Sequence, residues 1–240
     1  MKVFFENYHR NPKYFSIDDT EENGFSKLVE LLKRYKFEID VIDAPISEIK
    51  SDILVIAFPS KKFSPSEVQA VSQFVYQGGG LLLCGEWGGI FDHAKYLNQI
   101  SEVFGITFNE DRVCDLENIA PTAAGRKRAY NVRITGLNRA YPITYNVQSF
   151  VVTSGCSLTV PYRNMMVAWG GPKSWRDIDM DSEFDPGEEY GWVPVMVAAV
   201  YGDGRVVGLG DASVFSNDSM DDQNHQMLAY NTFNWLGRVI

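Results

Sequence analysis

The sequence predicts one α/β domain over 1–240, a parallel sheet flanked by helices, with an antiparallel β insertion over about 106–195. Three observations predict it. β-rich runs and amphipathic helical stretches alternate through the first half, as βαβ units with right-handed crossovers do. Two of the runs, Asp52–Ala57 and Leu81–Cys84, are apolar almost throughout, which suits strands covered on both faces. The middle carries short β patterns, Tyr130–Thr135 and Thr144–Val152, without helical periodicity.

Each element has its own signal. Lys2–Glu6 is a short β-rich run, too brief for the core of a signal peptide. Phe25, Leu28, Val29, Leu32 and Tyr35 recur at helical spacing, and Glu38–Ile42 alternates like a half-buried strand. Ser64, Pro65 and Glu67 form a capping box with proline in the first turn. Val68, Val71, Phe74 and Val75 are that helix's buried stripe, and Gly78-Gly79-Gly80 stops it. Asp92 is the expected cap of a helix carrying Leu97, Ile100, Val103 and Phe104, ended by Gly105. Gly202-Asp203-Gly204 joins Val193–Tyr201 to Arg205–Gly210 as a hairpin. A last helix follows Asp221 or Asp222, with Met227, Leu228, Phe233, Trp235 and Leu236 on its apolar side.

Composition removes several classes. At 45% hydrophobic and 22% charged residues the chain reads as globular, not disordered or fibrous. A net charge of −9 is the wrong sign for nonspecific nucleic-acid binding, and Arg126-Lys127-Arg128 with Arg133 reads as a solvated loop. No apolar run reaches the roughly 18 residues of a membrane span. Cys84, Cys114 and Cys156 are odd in number and lack metal-site spacing, so a reducing cytoplasm is the expected compartment.

Ligands of open α/β sheets sit beyond the carboxyl ends of the parallel strands. That rule selects Asn7 and His9 after the first strand, and Glu86, Trp87 and His93 after the fourth. It selects Asp211, Ser213 and Asn217 after the last. These eight are the candidate ligand-binding set. The plainer alternative is that they are turn and cap formers.

The same segments carry a family resemblance. The run from Gly78 to Gly89, then Leu97-Asn98 and Phe104–Asn109, resembles the GIFT domain. So do Gly204–Asp211, Ser213, Phe215–Asp218, Asn231 and Trp235-Leu236. The resemblance implies a flavodoxin-like core related to class I glutamine amidotransferases, in a family thought mostly to bind or assemble instead of catalysing. An active amidotransferase needs a cysteine on a strained Gly-x-Cys-x-Gly elbow, with a histidine oriented by a carboxylate. Here Cys84 follows Leu83 and belongs to a strand, and Asp211-Ala212-Ser213 stands where a His-x-Glu would be. The expectation is a non-catalytic module for a protein partner or a carbohydrate, with Trp87 as a stacking or anchoring residue. A subunit contacting a neighbour through an exposed face is a further possibility. The alternative is a hydrolase using Glu86, Asp211 and His93.

One motif lies outside that cluster. Asp177, Asp179, Asp181, Glu183, Asp185 and Glu188 fall at positions 1, 3, 5, 7, 9 and 12 of an EF-hand-type loop. Related family members carry Asp-x-Asp-x-Asp-Gly at this place. Ser182 replaces the turn glycine and no flanking helices are expected, so the expectation is a structural calcium loop with an imperfect turn.

Overall fold

The computed structural model describes residues 1–122 and 125–240. The strands are β1 (Lys2–Glu6), β2 (Glu38–Ile42), β3 (Ile53–Ala57), β4 (Gly80–Cys84) and β5 (Thr107–Phe108). They continue as β6 (Arg112–Asp115), β7 (Ile119–Pro121), β8 (Lys127–Ile134), β9 (Gly136–Leu137) and β10 (Phe150–Thr153). The last are β11 (Leu158–Thr159), β12 (Met166–Trp169), β13 (Ser174–Asp177), β14 (Pro194–Tyr201) and β15 (Gly204–Leu209). The helices are α1 (Ser26–Arg34), α2 (Pro65–Tyr76), α3 (His93–Ser101) and α4 (Gln223–Leu236).

An eight-stranded sheet in the order β2-β1-β3-β4-β15-β14-β12-β9 forms the centre. β2, β1, β3, β4 and β15 are mutually parallel. β14, β12 and β9 extend the sheet antiparallel. The continuous apolar runs become the two central strands because each must face two cores. Ile53, Val55, Leu82 and Cys84 pack on the face of α1 and α4. Leu54, Ile56, Leu81 and Leu83 pack on the face of α2 and α3. Burying one such side chain is worth about 1.5–3 kcal/mol, which holds both strands at the centre of the sheet.

Most local signals act as expected. Ser64 and Glu67 cap each other's backbone at α2, and Asp222 accepts from Asn224 N–H at α4. Gly202, at φ +59°, makes the tight β14–β15 turn, where a Cβ would meet the Tyr76 carbonyl. Three details differ. Asp92 has a left-handed backbone and caps nothing; its carboxylate takes Lys95 instead. The strand expected from Thr144 starts only at Phe150, because Pro142–Thr144 form a 3-10 turn and Asn146 is left-handed. The β insertion is also not a single layer. β9 and β12 join the main sheet, while β10-β8-β7, β5-β11 and β6-β13 pair separately. Among the described residues no helix is long and apolar enough to cross a membrane.

Candidate functional site

The exits of β4 and β15 are fastened together. Gly85 N–H donates to Leu209 O at 2.8 Å and Ala212 N–H donates to Gly85 O at 2.8 Å. This brings Glu86 and Asp211, both buried, onto each other. The Glu86 carboxyl lies against that of Asp211, with the backbone N–H groups of Ser213 and Trp87 close by. Asp211 accepts from Thr153 N–H at 2.6 Å and from Ser213 N–H at 2.8 Å. The Ser213 hydroxyl adds a bond of 2.5 Å. Glu86 Oε1 has no partner among the described residues.

Electrostatics assign the proton. Burial, then the charge of Asp211, pushes Glu86 well above the ordinary carboxyl range. Burial also raises Asp211, to about 6, against the pull of its donors. Asp211 therefore ionises first and Glu86 keeps its proton to higher pH. The pair is sealed: Asp211 is 0% exposed and Glu86 8%. The two carboxyls of the hydrolase alternative thus lie together in the interior.

The thiol and imidazoles are equally committed. Cys84 is buried, and burial followed by the charges of Asp211 and Glu86 drives its thiol far up. His93 is fully buried. Its Nε2 accepts from Glu86 N–H at 3.0 Å and its Nδ1 meets Ile90 O at 2.8 Å. It therefore braces the loop backbone and does not reach the Glu86 carboxyl, which corrects its expected role in a hydrolytic trio. His225 accepts from Val151 N–H at 3.0 Å and meets Val214 O at 2.8 Å. His9 lies between two buried carboxylates, Glu6 at 3.0 Å and Glu67 at 3.3 Å, with its ring 4.1 Å from that of Phe63. All three histidines thus spend their ring nitrogens inside the chain.

The remaining candidates are structural in this geometry. Asn217 sits at the start of α1, where Phe25 supplies no cap. It accepts from Lys27 N–H at 2.8 Å and donates to Asp19 O and Glu21 O, closing the long first loop. Asn7 donates to Asp43 and accepts from Arg10 at 2.7 Å. Trp87 is half-buried, and the Arg112 guanidinium lies 5.7 Å from its ring. The eight expected ligand residues therefore form several internally bonded groups instead of one open surface. Sequence reasoning missed Glu6, Arg112 and Thr153. Only Glu67 had a signal, and that signal concerned capping.

The acidic loop is partly gathered. Asp177, Asp179 and Glu188 bring ligand atoms within 4.8 Å of one another, as do Asp179, Asp181 and Asp185; Glu183 belongs to neither group. Ser182, at φ +69°, takes the left-handed turn the motif requires. Asp177, however, is fully buried and paired to Arg112 at 2.5 Å, and it accepts from Met180 and Ser182 N–H. Glu188 accepts from Ile178 and Asp185 N–H. Residual desolvation, then the charges of Asp181, Asp179, Glu188 and Glu183, raises Asp185. Asp179, Asp181 and Asp185 are thus the carboxylates gathered on the outer side of the loop, while Asp177 is already paired with Arg112.

Comparison with known proteins adds family and fold. A family model described as a domain of unknown function, DUF4350, matches residues 17–233. No curated protein matches. Among solved structures the chain is similar to the N-terminal domain of mmIFT52, with a TM-score of 0.73 and 20% identity over 98% of this chain and 97% of that one. It is similar to the cytoplasmic protein STM1381 from Salmonella typhimurium LT2, with a TM-score of 0.59 and 14% identity over 98% and 99%. A ThuA-like protein from Bacteroides uniformis gives a TM-score of 0.57 and 14% identity over 98% and 90%. At these identities the likeness concerns the fold.

Proposed function

The chain belongs to the DUF4350 family, a domain of unknown function, and from that premise we propose that it is a non-catalytic binding module on a GIFT-like, flavodoxin-like scaffold. The strand order supports the scaffold reading, since β2-β1-β3-β4-β15 follows the 2-1-3-4-5 arrangement of flavodoxin. The observation that carries the functional reading is the closed end of β4. Its cysteine is in the core, its two carboxyls are buried against each other, and the imidazole beside them is bonded to backbone. Nucleophilic catalysis needs an exposed, activated nucleophile beside a free base. What such a scaffold offers instead is surface, for a carbohydrate or a protein partner.

The test is chemical. Iodoacetamide on the folded protein is expected to leave Cys84, Cys114 and Cys156 unmodified, and to label all three after denaturation. Glutamine is expected to release no ammonia. Rapid labelling of Cys84 in the native state, or ammonia release abolished by Cys84→Ser, overturns the reading.

A second reading concerns calcium. The left-handed Ser182 and the mutual crowding of Asp179, Asp181 and Asp185 favour an ion held by those three carboxylates. Ligand binding to the folded state alone adds about 2.7 kcal/mol at a hundredfold excess over Kd. Calcium added to an EDTA-treated sample is expected to raise the melting temperature, and Asp179→Asn with Asp185→Asn to abolish the rise. An unchanged melt removes the ion.

A further inference from the structure

Away from the sealed strand exits, two hollows of about 390 and 310 Å³ meet on the surface. Both are lined by Arg163, Met166 and Trp192. Trp192 is 57% exposed and stacks on no other ring among the described residues. Its indole therefore stands as a bare platform between the hollows. Single exposed aromatics are common and need no explanation; the chemistry around this one is what distinguishes it. Arg163 is exposed and has no carboxylate partner among the described residues. Glu189 and Arg176 line the larger hollow, the latter held by Asp111 at 2.5 Å. Trp169 walls the smaller one.

We propose that this groove binds a neutral oligosaccharide, with Trp192 stacking on a pyranose face and Arg163 and Glu189 bonding its hydroxyls. This rests on the binding-module reading and names its site. A pyranose has an apolar C–H face and an equatorial belt of hydroxyls, each both donor and acceptor. An indole covers the first, and a guanidinium with a carboxylate serves the second. The cation and the anion together give the groove no strong sign, so a charged ligand meets repulsion from one of them. The two hollows together are of the size that small ligands fill. β12, which carries Met166 and Trp169, is paired on both sides by β14 and β9 and offers no edge to a strand-adding peptide.

The experiment titrates the intact chain with cello-, xylo-, manno- and chito-tetraose, read by tryptophan fluorescence and calorimetry. At least one is expected to bind with a Kd between micromolar and millimolar. Trp192→Ala and Arg163→Ala, both at exposed positions, are expected to weaken that binding at least tenfold with an unchanged melt. A Trp87→Phe variant is expected to leave it within twofold. A flat response across the panel, or binding that survives Trp192→Ala, overturns the site while the thiol and ammonia tests still judge the non-catalytic reading. Cleavage of a bound tetrasaccharide overturns the non-catalytic reading instead. Binding of a polypeptide that competes through Trp192 assigns the groove to a protein and sinks the saccharide.

Discussion

Glu86→Gln is expected to raise the melting temperature above that of the wild type by a margin that grows from about pH 5 to about pH 8. The reason is the proton that the wild type must hold. Asp211 rises from 3.8 to about 6 in the fold, and Glu86 rises well above its ordinary 4.5. Both groups bind protons more tightly folded than unfolded. Their stabilisation is complete below the unfolded values and fades as pH rises through the folded ones. Over the Asp211 window, from about 4 to about 6, that loss is about 1.4 kcal/mol per pH unit, or about 3 kcal/mol. Glu86 extends the loss to higher pH. A glutamine amide donates to Asp211 without needing a proton from solvent, so the Glu86 part of the slope disappears. Asp211→Asn behaves oppositely. Asp211 accepts from Thr153 N–H through one oxygen and from Ser213 through the other. An asparagine NH2 cannot accept on one of those sides, and the clash costs about 1–3 kcal/mol. Thermal melts of the three proteins across this range decide it. A Glu86→Gln protein that melts below wild type at about pH 8 refutes the buried proton.

How much of this was legible before the structure depends on the kind of signal. The apolar runs at β3 and β4 announced their burial because covering both faces requires apolar residues at every position. The capping box at Ser64 was legible because it is local. The sealing of the site was not. Thr153 N–H reaches Asp211 from 58 positions away, and Asn217 caps a helix 190 positions away, so no window of sequence contains either bond. The rule that ligands gather at strand ends located polar residues correctly. It could not tell polar groups aimed at a ligand from polar groups aimed at one another. Asp92 shows the same limit on a smaller scale, since left-handed backbone at Gly88, Gly89, Phe91 and Asp92 itself turned an ideal cap away from its helix. The exposed Trp192 lacked any motif around it and was silent until the fold placed Arg163 beside it.

Replacing Arg112 with methionine is expected to cost about 3–5 kcal/mol, the loss incurred when one partner of a buried ion pair is removed. Arg112 is 7% exposed and Asp177 fully buried, and the guanidinium reaches the carboxylate at 2.5 and 3.0 Å. The same guanidinium donates to Ser182 Oγ at 2.8 Å and lies 4.9 Å from the Tyr130 ring and 5.7 Å from that of Trp87. It thus ties the loop after β4, strand β8 and the acidic loop to one point. Methionine keeps the apolar stem and removes the charge, leaving Asp177 with only the Met180 and Ser182 amides and the Cys114 thiol. Urea unfolding measures the loss. Adding Asp177→Asn removes the stranded charge and is expected to recover a large part of it, so the pair is coupled by more than about 1 kcal/mol. A loss below about 1 kcal/mol for Arg112→Met would mean that water already screens the pair. The variant also bears on calcium. Once Arg112 is gone, Asp177 is free to join Asp179 and Glu188, whose ligand atoms lie within 4.8 Å of its own. If guanidinium and metal compete for that carboxylate, calcium stabilises the Arg112→Met protein more than the wild type. An equal shift in both confines any ion to the outer three carboxylates.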